Sequence, residues 1–380
     1  MRAILKATTL AGLSAIPCLS MAQSSVTLYG LIDAGVVYVS NLNGHSQWKM
    51  QSGTVASSRW GMRGVEDLGG GYAAIFQLEN GFNVMNGVTG NAGREFGRYA
   101  YVGLRSDKLG LVTIGRNIDN IQDFVGGMTA EVQWSGVSAV HFGDADQLDT
   151  SFRINNAIKY TSPIIGGFKF GGMFGLSNQA AGSGGGFGNN KMFSLGAGYA
   201  FGPVTLGVAY AAYNRPGSAT NPNGAVTGEY VQPLYVSPAG TGAGVEKQQV
   251  VTGGGSYVFG SATAAVIYSN VKLHYLDGTS LNQDNVEVNG KYQFTPSFFA
   301  GLAYVYSGYR YAGLNNVVQH PLYHQVAVGT WYLLSKTTDV SLVVVGQKAA
   351  GDAKVAALTN VGASSSDHQM VVVASMRKRF

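Results

Sequence analysis

The last eleven residues of the chain alternate strictly. Met370, Val372, Ala374, Met376, Lys378 and Phe380 fall on one face, and Val371, Val373, Ser375, Arg377 and Arg379 on the other. A period of two means a β-strand, because successive side chains leave a pleated backbone on opposite sides. A strand carried to the chain terminus is an open edge that invites pairing with another molecule unless something covers it. Pairing the last strand with the first closes the sheet and removes the edge. A closed barrel is also the only form in which strands cross a bilayer.

The rest of the chain follows the same rule. Val286, Val288, Gly290, Tyr292 and Phe294 oppose Glu287, Asn289, Lys291 and Gln293, and Val204, Leu206, Val208 and Tyr210 oppose Thr205, Gly207, Ala209 and Ala211. One face suits lipid and the other a watery or small-residue interior. Charged residues are 12% of the sequence, about half the roughly 25% of soluble domains. No run of about 18 apolar residues provides a spanning helix beyond the N-terminal segment. Tight turns rich in Gly, Pro, Ser and Asp fall at 67–71, 106–110, 162–167, 201–203, 259–261, 295–297 and 335–338. Seven turns join fourteen strands, and the first and last strands make sixteen. Between the hairpins lie eight longer polar loops, at 41–56, 83–94, 117–150, 177–190, 215–246, 274–281, 311–320 and 348–366. Tyr72, Phe76, Tyr160, Phe201, Phe294, Phe298, Tyr332 and Phe380 gather near the turn ends, as an interfacial aromatic girdle would. The expected fold is all-β: a sixteen-stranded antiparallel transmembrane barrel with short turns on one side and long loops on the other. Such a barrel is wide enough for an aqueous channel.

The N-terminal segment reads as an export signal. Arg2 and Lys6 precede a short uncharged stretch, and Ser20-Met21-Ala22 offers a small-x-small cleavage site before Gln23. The expected division is a signal peptide at 1–22 and one barrel domain at 23–380. Cys18, the single cysteine, would leave with the signal, which excludes disulfides and thiol chemistry from the mature chain. The net charge of +5 falls to +3 without Arg2 and Lys6, too little to indicate nucleic-acid binding.

Several blocks, in order, resemble the general trimeric porins of beta-proteobacterial outer membranes. They are Ser25-Val26-Thr27-Leu28-Tyr29-Gly30, Ser58-Arg59-Trp60-Gly61-Met62-Arg63-Gly64, Arg98-Tyr99-Ala100-Tyr101-Val102-Gly103-Leu104, Arg153-Ile154-Asn155-Asn156-Ala157-Ile158-Lys159-Tyr160, and the terminal Phe380. The resemblance implies short periplasmic turns, long external loops and a third loop, here 117–150, that folds inward and narrows the pore. It implies a passive channel of the cell outer membrane for small ions and hydrophilic solutes. The implied partners are two further copies of the chain in a homotrimer, outer-membrane lipid and lipopolysaccharide, and the assembly machinery that reads Phe380.

By the same resemblance, Arg59, Arg98 and Arg153 form a basic wall facing the loop. Arg63 shares the face of Arg59, and Lys159 that of Arg153, because each pair is an even number of residues apart. Asp119, Asp123 and Glu131 are the opposing acids on the loop. Fixed charges at a constriction enrich ions of the opposite sign, so a modest anion preference is expected. The alternative is that these arginines only pair with loop acids and hold the loop in place. Arg98 is awkward, since its parity matches Ala100, Val102 and Leu104 on an apolar face. Arg116 shares its face with Val112 and Ile114 and reads as structural or as a subunit contact.

Other chemistries fit poorly. His320 and His324 have the spacing of a helical zinc pair, but Pro321 between them breaks a helix. Asp144, Asp146 and Asp149 lack the Gly and Glu of a calcium loop. The glycines of 183–188 do not lead from a strand into a helix, as a nucleotide site requires. The reading is therefore no enzyme, no metal and no cofactor. A substrate-selective channel for one anion or sugar is the remaining alternative.

Overall fold

The computed structural model describes residues 25–182 and 186–380, so the expected signal segment lies outside the described residues. The first eight barrel strands are β1 Ser25–Leu42, β2 Arg59–Gly69, β3 Tyr72–Gly81, β4 Tyr99–Ser106, β5 Gly110–Asn117, β6 Ile154–Thr161, β7 Phe168–Gly175 and β8 Lys191–Phe201. The next eight are β9 Val204–Asn214, β10 Val245–Phe259, β11 Ala262–Tyr275, β12 Ser280–Thr295, β13 Phe298–Ala312, β14 Pro321–Leu333, β15 Thr338–Gly351 and β16 His368–Arg379. Each pairs antiparallel with its neighbours in sequence. The sheet closes where β1 pairs β16, from Leu31↔Arg379 to Val39↔Val371. The terminal alternation therefore ends against the first strand, which covers its edge.

The strand faces divide as the period of two requires. Leu206 and Val208 point outward and are about half exposed, at 48% and 59%, while Ala209 and Ala211 are buried inside. Outward apolar exposure continues round the barrel, for example at Leu104, Val266, Leu302 and Leu342. Without water that exposure is favourable, since a bilayer hides it.

The loops differ most from the sequence reading in two places. The segment read as a loop at 274–281 is only a four-residue turn, 276–279, because β11 and β12 keep pairing up to His274↔Ser280. The segment at 41–56 is partly strand: His45–Ser52 folds back along the upper half of β1. The lower half of β1, Ser25–Leu31, pairs with β2 instead. At the junction Asp33 is fully buried, and its carboxylate accepts bonds from Thr54 N (2.7 Å), Thr54 Oγ1 (2.8 Å) and Ala56 N (3.2 Å). This holds the segment that leads into Arg59.

The loop between β5 and β6 enters the barrel and fills much of it. It begins with a short helix, α1 Asn120–Phe124, capped by Asp119. Phe124 seats against glycines of β8 and β9: a Cβ at Gly196 would lie 2.3 Å from its ring. Trp134 does the same on β13 and β14, where a Cβ at Gly301 or Gly329 would lie 2.4 or 2.8 Å from the indole. Glycine here leaves room for a ring against the wall. Phe142 stacks on Tyr323 with centroids 3.9 Å apart. The loop thus packs against β8–β14 and leaves space on the side of β1–β4 and β16.

Candidate functional site

A cavity of about 690 Å³ occupies that space. Arg59, Arg98, Arg153, Arg377 and Arg379 line it from the wall side, and Gln122, Glu131, Asp149 and Ser151 from the loop. Arg98 reaches the lumen because β4 begins only at Tyr99, so Arg98 is free of the strand's alternation. Its Nε donates to Glu79 Oε1 at 2.6 Å. Arg59 Nε lies 4.0 Å from the other oxygen of the same carboxylate, which also accepts from Tyr29 Oη at 2.8 Å. Arg153 precedes β6 and donates from Nη1 to Thr150 O at 3.3 Å. Burial, reinforced by Arg98, lowers its pKa to about 9, which leaves it charged at neutral pH.

The remaining expected residues lie elsewhere. Arg63 faces inward lower on β2, its guanidinium 5.5 Å from the Tyr29 ring centroid, and does not line the cavity. Lys159 and Asp123 pair with each other at 2.5 Å, and Lys159 also donates to Ile118 O at 2.9 Å. That pair fastens the loop to β6 and is not free charge in the cavity. Asp119 is a correction as well. It is buried, accepts from Ile121 N at 3.0 Å as the helix cap, and takes a short bond from Tyr213 Oη. Burial pushes its pKa up to about 6. Arg116, read as structural or a contact, is buried and bonds Gly97 O, Asn155 and Glu229. It ties β5 to the long loop between β9 and β10.

Of the three acids expected to oppose the wall, only Glu131 lines the cavity, and Asp149, another acid of the same loop, joins it. Burial and then the adjacent Asp149 raise the pKa of Glu131 well above the carboxylate range. Burial raises Asp149 too. Burial and mutual repulsion thus disfavour the charge on both carboxyls. Five arginines therefore face two acids across the cavity.

The loop is also held by a buried cluster that sequence did not reveal. His141 Nδ1 lies 2.6 Å from Asp146 Oδ2, and Nε2 lies 2.9 Å from Glu287 Oε2 on β12. Ser269 Oγ and Asn285 Nδ2 donate to the same Asp146 oxygen at 2.5 and 3.1 Å. Burial alone would lower the His141 pKa, but Asp146 and Glu287 outweigh it and hold it at about 10. The only sequence signal was an acid, Glu287, at an inward position of an otherwise polar strand face.

Residues 7–352 match the Gram-negative porin family. An outer membrane porin protein of Bordetella pertussis is 33% identical over 234 residues, 56% of this chain and 60% of that protein. Outer membrane porin protein 32 of Delftia acidovorans is 37% identical over 166 residues, 40% of this chain and 44% of that one. The chain thus spans about half the length of these two curated relatives. Major outer membrane protein P.IB of Neisseria meningitidis is 27% identical over 308 residues, 74% of this chain and 87% of that one. In fold, the chain is similar to an anion-selective porin from Comamonas acidovorans, with a TM-score of 0.72 and 22% identity over 94% of this chain and 100% of that one. The closed barrel, the loop within it and the extent of the family match agree: the chain belongs to the Gram-negative porin family of outer-membrane channels.

Proposed function

We propose that the protein is a passive, water-filled pore for small hydrophilic solutes and ions, with a modest preference for anions. One observation carries the reading: Arg59, Arg98 and Arg153 line the same cavity, and the loop opposite brings only Glu131 and Asp149 to it. The wall arginines keep their charge at any physiological pH. The field across the cavity then favours anions and is strongest where the loop narrows the lumen. A solved structure of similar fold is described as anion-selective, which agrees with this sign.

The working unit is proposed as a homotrimer surrounded by outer-membrane lipid and lipopolysaccharide. Phe380 is proposed as the residue read by the assembly machinery; its ring is exposed on the outer face at 56%. Planar-bilayer recording of the purified mature protein tests the pore and its sign together. Stepwise conductance with an anion-side reversal potential in a salt gradient is expected. Insertion without conductance would reject the pore, and a cation-side potential would reject the preference.

A further inference from the structure

The terminal strand carries two lumen arginines that the porin resemblance did not assign. Arg377 and Arg379 of β16 line the same cavity as Arg59, Arg98 and Arg153. The register explains why. Leu31 of β1 is paired with Arg379 on one side and Arg59 on the other. All three lie on the inner face in one row, with the two arginines two strand spacings, about 10 Å, apart. Arg377 sits in the next inward row, opposite Asp33.

The two sides of this row repeat one arrangement. On β3, Glu79 is approached by Arg98 at 2.6 Å and Arg59 at 4.0 Å. On β15, Asp339 is approached by Arg377 at 3.2 Å and Arg379 at 3.1 Å, both on the same carboxylate oxygen. Each carboxylate is buried, at 5% and 1% side-chain exposure, while its arginines reach the cavity. One acid orients two cations and neutralises at most one, and on the second side Asp33 also acts on Arg377, so the positive charge facing the water there is chiefly that of Arg379. The Arg377 guanidinium is fixed further by lying 4.6 Å over the Trp331 indole. Arg379 is the freer of the two, at 40% side-chain exposure.

We propose that Arg377 and Arg379, held by Asp339, form a second anion-attracting unit of the pore wall and help set its selectivity for small inorganic and carboxylate anions. This rests on the reading of the cavity as a conducting pore. The basic wall then forms an arc from β16 across β1 and β2 to the segments preceding β4 and β6.

The test is the reversal potential of the full protein in planar bilayers under a low-salt gradient. Replacing Arg377→Gln and Arg379→Gln together removes two charges. The anion-to-cation permeability ratio should fall about fourfold per net charge lost, because the roughly twofold Boltzmann weight of a unit charge at about 10 Å in water acts on anion and cation in opposite senses. Replacing both with Lys should keep most of the ratio. Should the Gln variant not assemble, Asp339→Asn unmasks charge without touching either arginine and should raise the ratio. A Gln pair or an Asp339→Asn variant with the wild-type ratio would overturn the second unit while leaving an anion-selective pore intact. A wild-type channel without anion preference would instead reject the underlying reading.

Discussion

The imidazole of His141 lies 2.9 Å from the carboxylate of Glu287, a residue 146 positions further along the chain. This contact joins the tip of the inward loop to the far wall of the barrel. Because both groups are buried, removing one partner strands the other. Glu287→Gln should cost about 3–5 kcal/mol at that contact and free the loop. Thermal unfolding in detergent should drop, and single-channel current should become noisier.

The same latch predicts a pH window. His141 is raised to about 10, above its ordinary 6.5, so its stabilisation is complete below the ordinary value and is lost as pH rises through about 10. Burial would push Asp146 up, but His141 outweighs it and holds it below its ordinary 3.8. Its contribution is therefore present above 3.8 and is lost only as pH falls through that lower folded value. Current noise should stay flat through neutral pH and rise in alkali near 10. A quiet channel well beyond that point would show that the loop does not depend on His141.

Trp134 occupies space that Gly301 leaves open, with the would-be Cβ 2.4 Å from the indole. Gly301→Val should displace the ring and cost about 1–3 kcal/mol through overpacking. The displaced loop should change conductance per channel, whereas the same change at Gly290, whose Cβ would meet only Thr263 O at 3.3 Å, should not.

Neutralising two of the wall arginines named from the porin resemblance is the direct selectivity test. Arg59→Gln with Arg153→Gln should move the reversal potential toward cations at low salt. The difference should shrink in concentrated salt, since the screening length falls from about 10 Å at 0.1 M to about 3 Å at 1 M. An unchanged potential at low salt would remove these arginines from the selectivity account.

Phe380 exchanges both backbone hydrogen bonds with Gly30, at 3.0 and 3.1 Å, and thereby seals the barrel seam. It does not line the cavity. Deleting it should lower outer-membrane yield and leave conductance per assembled channel unchanged. Quantitative blotting of outer-membrane fractions against single-channel recording separates the two effects.

The sequence alone determined the barrel, because period-two alternation and turn residues are local properties of the backbone. All seven short turns fall where Gly, Pro, Ser and Asp cluster, and β16 ends where its alternation does. The porin resemblance pointed to Arg59 and Arg153, and both line the cavity. Tertiary structure alone decided which charges are free. Asp119 became a helix cap, and Lys159 and Asp123 neutralised each other, because the loop's path across the lumen sets its partners. Arg98 turned inward only because β4 starts one residue later. Arg377 and Arg379 joined the wall through the register of β16 on β1, a pairing between the two ends of the chain. The His141–Glu287 contact is the extreme case: alternation reports the face of a residue but not what crosses the barrel to meet it.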